Sequence, residues 1–211
     1  MRTALWAVLL LVPLLSLLGT LVVNNKMSFF SDALGHSALT GVAIGVIAGI
    51  SEYRLVMVLF GVVFALCMNR IRRSRLASTD TVIGVFSSVG VALGLTLLSA
   101  RGNLANYQSL LVGDILSVTA AELWMLLAVL VATVLLWVVC FNGFFAVSIS
   151  PSVARSKGFK TALYDNLFVV LVAVVVMLAI RWVGLLLINA MLILPAAASA
   201  TWRGVCAPTI C

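Results

Sequence analysis

The amino-acid sequence predicts an all-α, polytopic membrane bundle of about seven spanning helices. Three observations carry that prediction. Hydrophobic residues fill 64% of the 211 positions and charged residues only 9%, against roughly 25% charged in a soluble domain. The mean hydropathy is +1.27, so a water-facing surface cannot be assembled from this chain. The apolar residues also come in runs close to the roughly 20 residues that a helix needs to cross a bilayer.

Seven such runs follow one another: Ala4–Val23, Asp32–Ile50, Leu55–Met68, Val82–Ala100, Ala121–Phe141, Ala162–Ile180 and Val183–Thr201. The first follows Arg2 and has the look of a signal peptide. It lacks an A-x-A cleavage site and six further spans come after it, so it reads as a true helix. The third is short and borrows Tyr53 and Asn69 at its ends. Between the fourth and fifth lies RGNLANYQSLLVGDILSVT, residues 101–119. It is too polar to face lipid and too apolar for a free loop, which suits a half-helix or re-entrant piece enclosed by protein.

The net charge of +7 would suggest nucleic acid in a soluble protein. In a membrane chain, basic residues gather in cytoplasmic loops instead. If the loop Asn69–Ser78 is cytoplasmic, alternation puts Lys26, Arg70, Arg72, Arg73, Arg75, Arg155, Lys157, Lys160 and Arg203 inside. Only Arg2, Arg54, Arg101 and Arg181 remain outside, and the N-terminus is expected there too. The four cysteines form no CxxC pair and read as incidental.

The chemistry concentrates in SFFSDALGHSALTG, residues 28–41, which holds the only histidine. Residues i and i+4 of a helix lie about 40° apart, so Asp32 and His36 share a face with Thr40 one turn further on. Gly41, Gly45 and Gly49 form a GxxxGxxxG stripe on roughly the opposite face, where small residues let another helix come close. Two readings stand. Asp32 is a first-turn acid favoured by the helix dipole beside a packed imidazole. Or the two are a carboxylate and an imidazole facing a pathway, suited to zinc, manganese and similar divalent ions. Two ligands are too few for a stable site, and a two-fold dimer would make four. A weak shared site is what a pathway requires, because the ion must leave as readily as it enters.

The stretch KMSFFSDALGHSALTGVAIG resembles the signature of the zinc/manganese (ABC-3) family of ABC-transporter permeases, M-S-x-x-x-D-A-x-x-H-A/S-x-L-x-G-V-A. The likeness continues through TDTVIGVFSSVGVALGLTLLS, LLVGDILSVTAAELW, VSISPSVARSKGF and VGLLLINAMLILPAAASA, in the family's order and across nearly all of residues 4–203. It is similar to the membrane subunit of high-affinity zinc uptake systems. The resemblance implies a homodimeric permease in the bacterial inner membrane, served by a cytoplasmic ATP-binding subunit and an extracytoplasmic metal-binding protein. It implies that Asp32 and His36 line the path of the transported zinc or manganese, with no cofactor held by the chain. Some members carry a histidine in the fourth span where this chain has Ser88, which removes one further ligand.

The resemblance also implies that Ser150, Pro151, Ser152, Val153, Ala154, Arg155, Lys157 and Gly158 belong to the cytoplasmic coupling helix that docks on the ATPase. The residues themselves read as a helix of about two turns, with Ser150 as N-cap, Pro151 in the first position and Gly158 as the stop. Without the resemblance, a plain basic cytoplasmic loop is the preferred reading.

Neither GxxxxGK[ST] nor HExxH occurs, so ATP hydrolysis is expected in a partner subunit. An intramembrane enzyme using Asp32 and His36 as acid and base would need a nucleophile, and none sits at suggestive spacing. Residues 1–203 are read as one permease domain and 204–211 as an atypical tail. Family members normally continue for about two more spans. A truncated, transport-incompetent remnant is therefore the alternative expectation.

Overall fold

The computed structural model describes residues 2–25, 27–50, 53–74, 77–100, 113–115, 118–149, 151–156, 158 and 160–206. Within them the chain forms α1 (Arg2–Asn24), α2 (Phe30–Ile47), α3 (Tyr53–Arg73), α4 (Thr79–Ala100), α5 (Ala120–Ile149), α6 (Pro151–Ser156), α7 (Thr161–Val183) and α8 (Leu185–Cys206). No strand occurs among the described residues. Six of these helices, α1 to α5 and α7, are long and apolar enough to cross a membrane, and α8 carries the seventh predicted run.

Helix α2 is the axis of the bundle. It packs against α3, α4, α7 and α8, while α1 packs on α5 and α8. Two thirds of α2 is buried (67%), whereas only 11% of the most apolar stretch of α5 is. The difference follows from what each helix exposes. Trp124, Leu135, Val138 and Val139 on α5 are all exposed and apolar, a lipid-facing surface and not a solvated one. The sides of α2 that meet α3 and α4 are instead lined by small residues, which let neighbouring backbones approach.

Element ends differ from the sequence expectation where polar residues were read as loop. Helix α3 runs on through Asn69, Arg70, Arg72 and Arg73 instead of stopping at Met68. Basic side chains suit the last turn because they offset the helix dipole and reach out from an apolar stem. Asn69 is fully buried and donates from Nδ2 to Asn166 Oδ1 at 2.8 Å, so its polarity is satisfied inside the bundle. Helix α5 likewise passes Asn142 and Gly143 to reach Ile149. Gly143 is the point where the Tyr164 ring of α7 lies against the α5 backbone.

Two glycines set the breaks. Gly184 has φ +81° and separates α7 from α8, its N–H donating to Ile180 O at 2.8 Å. Gly49 has φ +69° and lies beyond the end of α2 with open space around it. Of the segment 101–119, residues 101–112 lie outside the described residues. The part that is described runs over the α7–α8 junction, where Asp114 N–H donates to Arg181 O at 3.2 Å.

Candidate functional site

From Phe30 to Ala43 every residue of α2 is buried except two, Asp32 and His36. The first turn of α2 has no side-chain cap, and Asp32 is its only acidic residue, placed where the helix dipole favours a negative charge. One turn later the His36 Nε2 stands 3.5 Å from Asp32 Oδ2. The side chains keep 28% and 39% of their surface for histidine and aspartate respectively. Ahead of its exposed last turn, the helix thus opens only at one acid–imidazole pair.

The other carboxylate oxygen is held from α8. Asn189 Nδ2 donates to Asp32 Oδ1 at 2.8 Å, across 157 positions of sequence. The first turn of α8 packs directly on α2 here, since a Cβ on Gly35 would run into the Leu185 side chain. Sequence reasoning passed over Asn189. The signal was present: a carboxamide inside LLLINAMLIL is a polar group in a spanning segment, which normally faces a partner or a path.

Thr40 turns out to serve packing, not the site. It is 2% exposed and its Oγ1 donates to Gly90 O of α4 at 2.7 Å. The glycine stripe is divided in the same way. A Cβ on Gly41 would stand 2.9 Å from Met57 Cα, so α3 passes close at that point. Gly45 is buried within α2. Gly49 is outside the helix and takes no part in helix packing, a correction to the sequence reading. The α2 backbone is also approached closely by Gly90 and Gly94 of α4, which face Ser37 and Thr40. Ser88 on α4 is exposed and returns its hydroxyl to Gly84 O at 3.0 Å.

The segment expected to couple to an ATPase lies apart from this pair. Pro151–Ser156 is helical, shorter than the expected two turns, and packs on α5 and α7. Gly158 has φ +80° and donates its N–H to Arg155 O at 3.0 Å, ending the helix. Ala154 is fully buried while Arg155 is exposed. Ser150 and Lys157 lie outside the described residues, and for Pro151, Ser152 and Val153 only the backbone is described. Arg155 shares with Arg72, Arg73, Ser78, Thr161 and Asp165 the lining of a cavity of about 950 Å³. Its wall is braced by Arg72, whose Nη2 donates to both oxygens of Asp165 at 2.7 Å and to Asn69 Oδ1.

At the opposite end of α3 and α7, Glu122 gathers two cations: Arg181 Nη1 at 2.9 Å and Arg54 Nη1 at 3.5 Å from Oε1. Its other oxygen accepts from Thr119 N–H at 3.1 Å, while Thr119 Oγ1 accepts from Glu122 N–H at 3.3 Å. This is a reciprocal capping box that starts α5. Among the described residues no group of three or more His, Cys, Asp or Glu side chains could hold a metal ion.

Residues 1–206 match the ABC 3 transport family. The chain belongs to that family. The ABC 3 chain is 32% identical to the manganese import system permease protein ScaB of Streptococcus parasanguinis, covering 85% of itself and 64% of that relative. It is 31% identical to the high-affinity zinc uptake system membrane protein ZnuB of Haemophilus influenzae, covering 85% and 69%. In structure it resembles PsaBC from Streptococcus pneumoniae in complex with Fab, with TM-score 0.79 and 29% identity over 94% of this chain and 72% of that one. The chain thus spans a little under two thirds of the length of ScaB.

Proposed function

We propose that this ABC 3 chain is the membrane permease subunit of an ATP-binding-cassette importer for a divalent transition metal, zinc first and manganese next. The observation that carries this reading is that, from Phe30 to Ala43, α2 opens at Asp32 and His36 alone. A site within the membrane is supported by Ser37, next to His36, which faces Gly90, halfway along the 22-residue α4. A carboxylate and an imidazole at mid-depth are costly unless they serve a path.

Zinc stands first because a carboxylate beside an imidazole is a donor pair that zinc takes readily, and His36 Nε2 stands 3.5 Å from Asp32 Oδ2 on one helix face. Manganese stays in the reading because relatives named for manganese and for zinc are about equally similar. A second copy of the chain, related by a two-fold axis, would supply the other two ligands.

In this reading the end bearing Arg72, Arg73 and Arg155 is cytoplasmic, which puts the N-terminus outside the bacterial plasma membrane. The α6 segment faces a separate ATPase that supplies the energy, and an extracytoplasmic metal-binding protein delivers the ion. The test uses the permease reconstituted with both partners. Asp32→Asn and His36→Ala should each abolish metal uptake and metal-stimulated ATP hydrolysis while dimer assembly persists. Full uptake by the double variant overturns the assignment.

A further inference from the structure

Asp32 has two carboxylate oxygens, and the fold treats them differently. Oδ2 stands beside His36 Nε2 at 3.5 Å, whereas Oδ1 accepts the Asn189 Nδ2–H at 2.8 Å. The amide must present its nitrogen here, because the reverse orientation would set two acceptor oxygens against each other. Its own oxygen is left over: Asn189 Oδ1 is buried and has no hydrogen-bond partner among the described residues. A buried acceptor without a partner destabilises a fold. Asn189 is therefore placed for its N–H alone, and that N–H goes to Asp32. A hydrocarbon of similar size would fill the same space without the orphaned oxygen.

We propose that Asn189 is the positioning residue that restricts Asp32 to one-oxygen donation and thereby sets the preference of the pathway for zinc over manganese. The inference rests on the reading of Asp32 and His36 as metal ligands. A carboxylate with one oxygen occupied by a hydrogen bond offers a cation a single oxygen next to one imidazole nitrogen. That donor set suits an ion content with few ligands, including nitrogen. Released from Asn189, the carboxylate turns about its terminal torsion and offers both oxygens. Two-oxygen donation favours harder ions that prefer carboxylate and water, manganese among them. Partners that hold a ligand in place characteristically change metal affinity by about 10–100-fold when removed.

The position of Asn189 is itself well determined. It lies one turn into α8, whose start is set by the Gly184 break and by Leu185 seated against Gly35. These contacts are made by the α8 backbone and by Leu185, so they survive a change at position 189.

The experiment measures uptake by the permease reconstituted with its ATPase and binding protein, with zinc alone and with manganese alone. Asn189→Leu and the smaller Asn189→Val, both without an N–H to give, are compared with the unaltered chain. The expected result is a fall of about 10-fold or more in the ratio of manganese to zinc half-saturating concentrations, with the maximal rate for manganese kept. Equal loss for both metals or an unchanged ratio in both variants overturns the proposal. Asp32→Asn and His36→Ala run in parallel. If these abolish uptake while the position 189 variants keep the original ratio, the inference about Asn189 fails and the pathway assignment stands. If they leave uptake intact, the assignment fails and the inference falls with it.

Discussion

Gly94 of α4 and Thr40 of α2 meet backbone to backbone: a Cβ on Gly94 would stand 3.0 Å from Thr40 N and 3.1 Å from Thr40 Oγ1. One turn earlier Gly90 accepts the Thr40 hydroxyl at 2.7 Å and lies against Ser37. In a membrane, where lipid tails are as apolar as the side chains, close packing and such hydrogen bonds are what hold two helices together. This seam keeps α2 rigid just beyond His36, so the Asp32–His36 turn is carried by a fixed helix and not by a mobile loop.

Enlarging Gly94 should therefore separate α2 from α4. Gly94→Val is expected to cost about 1–3 kcal/mol, the usual penalty of overpacking, read as a lower melting temperature of the detergent-solubilised chain. Gly84 on the same helix has nothing within 4 Å, so Gly84→Val serves as the control and should leave the melting temperature nearly unchanged. Equal melting temperatures for the two variants would show that the α2–α4 seam does not bear on stability.

The seam also shows what the sequence could and could not reveal. The apolar runs were readable because a bilayer demands about 20 such residues whatever the neighbours are. The Asp32–His36 pair was readable because helical spacing is local. Which glycines meet a neighbour is not local. Gly41, Gly45 and Gly49 share one stripe in the sequence, yet α2 ends at Ile47 and Gly49 falls outside it. Gly90 and Gly94 of α4 come about as close to α2 as Gly41 does to α3, and only the tertiary arrangement selects them. Asn189 escaped notice for the same reason, its partner being 157 positions away. The end of α3 was misplaced because Asn69 and the arginines after it look like loop residues until Asp165 and Asn166 of α7 are seen to receive them.

That α3–α7 junction makes a second prediction. Arg72 and Asp165 are only 15% and 13% exposed, and the guanidinium reaches both carboxylate oxygens. Removing one partner leaves the other charge half-buried beside an apolar core. Asp165→Leu is expected to destabilise by about 1.5–3 kcal/mol, the range for hydrogen bonds to charged groups. The double variant Arg72→Met with Asp165→Leu should recover most of that loss, since no charge is then stranded. A double variant as unstable as the two single losses added together would mean that the residues do not act as a pair.

The last prediction concerns the short helix α6 and follows from its unequal exposure. Under the proposed function this helix meets the ATPase, and its two neighbouring positions give opposite expectations. Ala154 is fully buried against the bundle, so a cysteine there would face α5 and α7 and should not reach another subunit. Arg155 is exposed and lines the basic cavity, so Arg155→Cys should crosslink to a cysteine on the ATPase surface. The background for both is the chain with Cys67 and Cys140 replaced, because Cys67 is itself exposed, and with Cys206 and Cys211 replaced as well. Arg155→Cys should also react with a membrane-impermeant thiol reagent only when inside-out vesicles are used, as the cytoplasmic excess of basic residues requires. Labelling from the outside of intact cells would invert the proposed orientation, and crosslinking from Ala154→Cys but not from Arg155→Cys would show that the helix presents its other face to the partner.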